Sequence, residues 1–247
     1  MTHYFENNIV EIKKEYTEIL LDVLTPLIFE GLESIYSNAI RLDTKYKELE
    51  KDDPNRKSSG VLSIFQTFLK DIPNLNDNKI DTETGRIRDN SHCSECFDDL
   101  IRAVFKSNII LLTYNASGKT CKLVEERRYK EIGIPKFIHR CYIEIAKILY
   151  DRPELFLKTV ETSKIKENQE KLFKIVKDGI ISAVHGLLPM KDILDEYLSK
   201  DYIGGEVTKE TKIDKMRERE KFKGRPAQNG PRFQVQRPVE FQDRRGY

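Results

Sequence analysis

The segment Thr113-Tyr114-Asn115-Ala116-Ser117-Gly118-Lys119-Thr120 ends in Gly-Lys-Thr after the apolar run Ile109 to Leu112, which raises the chemistry of phosphate binding. A loop that cradles phosphates needs a first glycine, because the backbone must turn tightly to aim successive N–H groups at the ligand. It also needs a strand before it. Thr113 stands where that glycine belongs, the residues before it recur with a helical period, and no later aliphatic run ends in an aspartate suited to magnesium. A nucleotide hydrolase on Gly118 to Thr120 therefore ranks third among the functions considered.

Cys93 and Cys96 have the spacing of half a zinc site, with His92 beside them and Cys121, His139 and Cys141 further on. A structural zinc draws four ligands, usually as two close pairs. The second pair is missing. Cys93 stands one turn before Phe97 and Cys96 one turn before Leu100, so both are expected on the apolar side of a helix, where a free cysteine behaves as a small hydrophobe. His139 and Cys141 cannot form a local nucleophile pair, because residues two apart on a helix face different ways. Asp98-Asp99 and Glu125-Glu126 fall on the solvated sides of their stripes. With four His, no Trp and no convergent polar set, the sequence offers no catalytic residue, metal ligand or cofactor site, and it reads as non-enzymatic.

Chemistry of another kind lies in the last 44 residues. Gly204 to Tyr247 holds 12 Lys or Arg against 7 Asp or Glu, leaving a net −3 for the preceding 203 residues of a chain that is +2 overall. Pro226, Pro231 and Pro238 interrupt a segment in which Phe222, Phe233, Phe241 and Tyr247 alternate with Arg225, Arg232, Arg237, Arg244 and Arg245. Such a segment cannot bury enough apolar surface to fold on itself. Aromatic and arginine anchors suit it to grooves on a larger protein surface, or to phosphates with stacking on bases. These nine residues are the candidate partner-binding set. Extended, the tail spans at most about 150 Å.

The elements that must position these residues read as helices nearly throughout. The organising stretch is Pro135 to Phe156, where Ile138, Cys141, Tyr142, Ile145 and Leu149 make one apolar face and Arg140, Glu144 and Lys147 the other. Ahead of it, Ile12, Tyr16, Ile19, Leu20 and Val23 predict one helix, and Ile28, Leu32, Ile35, Tyr36, Ala39 and Ile40 a second, with Thr25-Pro26 as cap and first-turn residue between them. Glu48 to Ser59 reads as a loop, Val61 to Ile72 as a helix stopped by Pro73, and Asn74 to Asn90 as an irregular connection with a short helical turn around Ile80 to Ile87. Phe97 to Leu112 carries a long stripe. Ile165 to His185 predicts a helix with Gly186 as a left-handed cap, inside which Gly179 marks either a break in the helix or a close helix crossing. Pro189 to Ser199 is the last. No stretch alternates with period two. The expectation is an all-α, bundle-like body of about seven helices over residues 1–203, followed by the extended basic tail 204–247.

Composition agrees: 38% hydrophobic residues with 12 Phe and 11 Tyr supply a core. No apolar run reaches membrane-spanning length. The start MTHYFENN lacks a signal peptide's basic and apolar regions, so cytoplasmic synthesis, reduced thiols and an unused sequon at Asn115 are expected.

The phrases FQTFLKDIP at Phe65 to Pro73, FIHRCYIEIAKILYDRPELF at Phe137 to Phe156 and ISAVHGLLPMKDILDEYL at Ile181 to Leu198 resemble a helical protein family of large nucleocytoplasmic DNA viruses. The resemblance covers most of residues 8–202 and excludes the tail. It implies a virion structural protein of the minor capsid type, made in host cytoplasm and placed on the inner face of an icosahedral shell. There the helical body and tail would bridge neighbouring capsomers. The partners expected on that reading are major and other minor capsid proteins and copies of the chain itself, near a membrane surface but without a membrane span. The alternative is a nucleic-acid-binding virion or regulatory protein that uses the basic tail.

Overall fold

The computed structural model describes residues 2–52, 58–113, 132–158 and 161–199. Seven α-helices run through them: α1 (Thr2–Asp52), α2 (Val61–Asp71), α3 (Asp77–Asn90), α4 (Phe97–Thr113), α5 (Ile134–Tyr150), α6 (Thr162–Leu187) and α7 (Met190–Ser199). Short 3-10 turns follow α2 (Ile72–Asn74) and α5 (Pro153–Phe156), and no strand occurs among the described residues. The protein is all-α. Two units divide the chain, residues 1–200 and 201–247; the second lies outside the described residues, as do the nine partner-binding residues of the tail, Phe222 to Tyr247.

The organising stretch forms as its stripe dictates. Ile138, Cys141, Tyr142, Ile145 and Leu149 are all buried on α5, which packs against α2, α3 and α6. Pro135 sits in the first turn and costs no hydrogen bond there. Beyond α5 the turn Pro153–Phe156 drives Phe156 between Tyr36 and Phe65, with ring centroids 5.3 and 5.0 Å away, and Phe105 meets Phe137 edge-on at 5.5 Å. Phe65, Phe137 and Phe156 belong to the phrases that carry the family resemblance, and all three are core residues.

α1 runs on to Asp52, through the first five residues of the expected loop Glu48 to Ser59, and differs from expectation in two further ways. It is one helix of 51 residues, about 77 Å long, that continues through Pro26. The missing N–H leaves the Asp22 carbonyl without its helical donor, but Asp22 and Pro26 are both exposed, so water can take the free lone pairs. Leu20, Leu24, Leu27 and Ile28 meanwhile hold both sides of the proline in the core. Thr25 does not cap; its hydroxyl donates back to the Leu21 carbonyl at 2.6 Å. The second difference is that Ile12, Tyr16, Ile19 and Ile40, read as inward, are exposed.

α3 is a full helix rather than an irregular connection. Its start is set by Asn76, whose side chain accepts from the Lys79 N–H at 3.0 Å, and its apolar content is only Ile80 and Ile87. Gly186 is helical, not a left-handed cap; α6 runs on because Leu188 beyond it is still buried. Among the described residues the glycine with positive φ is Gly60 (φ 86°), at the entry to α2. There the Ser58 hydroxyl donates to buried Asp43 and accepts from the Gly60 N–H at 3.1 Å, which ties α2 to the end of α1. Gly179 does mark a close crossing: a Cβ there would stand 2.3 Å from Ile145 Cγ1 on α5.

Candidate functional site

α1, α2 with its following turn, α3 and α5 enclose an open groove of about 930 Å³. Its floor follows from the stripes: half-buried Ile35 and Leu42 of α1, Phe68 of α2 and Leu75 after it present apolar surface over buried Ile72 and Tyr142 of α5. Its rim is basic. Arg41 and Lys45 of α1 and Lys79 of α3 are exposed, and none forms an ion pair among the described residues; Arg41 bonds only the Asn38 side chain, at 3.0 Å. Asp71 is also exposed on this wall, so the unpaired rim charge remains positive.

One end of the groove is closed by a polar network. Tyr142 donates from its hydroxyl to Glu83 Oε1 at 2.5 Å, and the same carboxylate takes two bonds from Arg86, Nε to Oε2 at 2.9 Å and Nη2 to Oε1 at 2.7 Å. Arg86 also donates to Glu30 at 3.1 Å and to the Leu27 carbonyl at 2.6 Å, so it joins α3 to α1. The planar guanidinium suits this two-pronged grip on a carboxylate. Burial, and then the Glu83 charge, push the Tyr142 hydroxyl well above its usual range. The Glu83 carboxylate holds Arg86 firmly protonated. Gly31 makes room for the network, since a Cβ there would lie 2.0 Å from the Tyr142 oxygen. The arrangement fixes charge and offers no exposed nucleophile; what the groove presents outward is apolar surface under positive charge.

The candidates singled out in the sequence fall elsewhere. Of the Gly-Lys-Thr segment only Thr113 is described. It is buried at the end of helix α4, and its hydroxyl bonds the Ile109 carbonyl at 2.7 Å, so the run before the loop is a helix where a phosphate loop requires a strand. Cys141 is buried, but Cys93 is half-buried and Cys96 exposed, both in the turn before α4 rather than on its apolar stripe, where the Cys96 N–H bonds the Cys93 carbonyl at 3.0 Å. That corrects the expectation of buried thiols: the stripe of α4 begins only at Phe97. Among the described residues no three His, Cys, Asp or Glu side chains converge to hold a metal. His139 instead donates from Nε2 to the Ile72 carbonyl at 2.8 Å, a strut between α5 and the end of α2. Asp98 pairs with Arg88 at 2.8 Å and Asp99 with Arg102 at 3.0 Å. Cys121, Glu125 and Glu126 lie outside the described residues. Among the described residues, no helix is long and apolar enough to cross a membrane.

Sequence reasoning missed the groove because Tyr142 reads as one more core position and because Asn74 to Asn90 reads as a connection. The signal that could have found it is Glu83 and Arg86 three apart, which on a helix form a pair on one face.

A family model described as a family of unknown function, DUF5764, matches residues 6–157. The match takes in α1 to α5, hence every wall of the groove, and it ends before the third of the resembling phrases. No curated protein and no solved structure matches the chain.

Proposed function

The chain belongs to DUF5764, a family of unknown function, and we propose that it is a non-enzymatic structural protein that docks other proteins through its helical body. The observation that carries the reading is the groove. Apolar side chains floor it, while Arg41, Lys45 and Lys79 stand on its rim without an ion-pair partner among the described residues. Exposed apolar surface bordered by unpaired like charge is what a partner with acidic and apolar side chains covers, gaining area burial and charge complementarity together.

In its specific form the proposal is a minor capsid protein on the inner face of an icosahedral shell. The body would bind capsid proteins, and the basic tail would reach along neighbouring units. The resemblance of three phrases to proteins of large DNA viruses supports that setting. The alternating aromatic and arginine residues of the tail support a second anchor, which raises the local concentration of the first. The test is incorporation into particles. Lys45→Glu with Lys79→Glu should leave a folded body that incorporates poorly. Normal incorporation of that variant would count against groove docking. A nucleic-acid role for the tail is the alternative, and salt separates the two. Binding through several arginine–phosphate contacts falls steeply between roughly 50 and 200 mM salt, whereas docking on aromatic anchors changes little.

A further inference from the structure

α7 presents the complement of the groove. Ile193 faces inward, packed on the core, while Met190, Leu194 and Leu198 lie four apart on an exposed stripe, 43, 49 and 75% accessible. Its sequence MKDILDEYLS carries three acidic residues against one lysine, and Asp195, beside Leu194, is exposed. An exposed apolar stripe on an acidic helix is costly to leave in water, as is an apolar groove under unpaired positive charge. Both occur on one chain.

We propose that α7 of one copy docks into the groove of another, placing Met190, Leu194 and Leu198 on the apolar floor and Asp195 toward Lys45 and Lys79. The lengths agree. The groove follows α1 from Glu30 to Lys45, about 22 Å, and α7 has ten residues, about 15 Å. The groove is built from α1, α2, α3 and α5, so donor and acceptor are different surfaces and the contact is head-to-tail. A contact of that kind leaves one free groove and one free α7 at the ends of every open oligomer, so association continues until a ring closes or a filament grows. This rests on the docking reading above and names the groove's partner as a second copy of the chain.

The test uses the full chain and sedimentation velocity across low to high micromolar concentration. Wild type should associate beyond the dimer as concentration rises. A groove variant, Lys45→Glu with Lys79→Glu, and a stripe variant, Leu194→Ser with Leu198→Ser, should each weaken self-association by more than about tenfold. All four positions are exposed, and circular dichroism checks that both variants fold. The decisive sample is their equimolar mixture. The groove variant keeps an intact α7 and the stripe variant an intact groove, so the mixture should form dimers and stop there. A monomeric wild type, variants that associate normally, or a mixture that stays monomeric would each overturn the proposal. If wild type is monomeric but the groove variant still fails to enter particles, self-docking falls while the assembly reading stands with a different protein in the groove. If wild type behaves as proposed but the groove variant enters particles normally, self-docking stands and the assembly role of the groove falls.

Discussion

Gly179 of α6 lies directly over Ile145 of α5, so closely that a Cβ on the glycine would come within 2.3 Å of Ile145 Cγ1 and 3.3 Å of the Ile145 nitrogen. At this crossing the Ile145 side chain packs straight onto the glycine backbone. A glycine inside a 26-residue helix sacrifices about 1 kcal/mol of helix propensity relative to alanine, and this contact is what it gains.

Gly179→Ala should therefore destabilise the body by about 1 to 3 kcal/mol despite the better helix former, because backbone as well as side chain must move. Gly85→Ala is the control: Gly85 lies inside α3, a Cβ there meets nothing within 4 Å, and the change should stabilise by about 0.4 to 1 kcal/mol. Urea unfolding of both variants checks the pair. Equal effects would mean that the crossing is looser than described.

Ile145→Ala should cost about 2 to 5 kcal/mol, since the side chain is fully buried at the centre of α5. Combined with Gly179→Ala, the loss should fall short of the sum of the two. The new methyl group would enter the space that Ile145 vacates, and residues in contact are not additive. A strictly additive double mutant would contradict direct contact.

Removing the hydroxyl in Tyr142→Phe should cost about 1 to 3 kcal/mol near neutral pH, as a bond to a charged acceptor is lost. It should also change the alkaline limb of stability. The native Tyr142 hydroxyl is raised above its unfolded value of about 10, chiefly by burial and next by Glu83. Its stabilising contribution is therefore complete below pH 10 and is lost as pH climbs toward the native value. Unfolding free energy measured from pH 8 to 11 should fall less steeply in Tyr142→Phe. Part of the slope will remain, because burial raises Tyr36 in the same direction.

The thiols should divide by exposure. Cys96 should alkylate readily in the native protein, Cys93 more slowly, and Cys141 only when the core opens, because burial pushes its thiol far up and shields it. Peptide mapping after timed iodoacetamide treatment reads this order. Early labelling of Cys141 would place α5 nearer the surface than its stripe implies.

Much of this fold was legible in the sequence because burial has a helical period. The stripes of α2, α4, α5 and α6 are regular, and the five residues that the spacing selects on α5 are all buried, joined by Ile134, Phe137 and Ala146. Two features escaped. At Pro26 a local rule favoured a break, but the carbonyl it orphans belongs to exposed Asp22 while Leu24 and Ile28 hold the helix in the core, so packing outweighed the lost hydrogen bond. In α3, periodicity had little to work on, since the helix is secured by an Asn76 cap and by Arg86 reaching Glu83, Glu30 and the Leu27 carbonyl. Polar helices carry their partners on other elements, which a single chain read in order does not reveal. The groove was lost with α3 because Lys79 belongs to its wall.

The tail residues should act in assembly rather than folding. Removing Gly204 to Tyr247 should leave the body's circular dichroism and thermal unfolding unchanged, because the described core lies wholly before Lys200. Phe233→Ala with Phe241→Ala should impair incorporation more than Arg244→Ala with Arg245→Ala, as aromatic anchors dominate protein grooves while rim charges contribute little. The reverse order, with wild-type binding that falls steeply as salt rises and an arginine defect that is largest at low salt, would favour the nucleic-acid alternative.

The proposed capsid role would make this protein a built-in part of a shell. The most direct measurement is its copy number in purified, salt-washed particles, by quantitative mass spectrometry against the major capsid protein. A capsid component should appear in a fixed ratio set by shell symmetry that persists in high salt. Absence from particles, or a ratio that varies between preparations and falls away with salt, would contradict it.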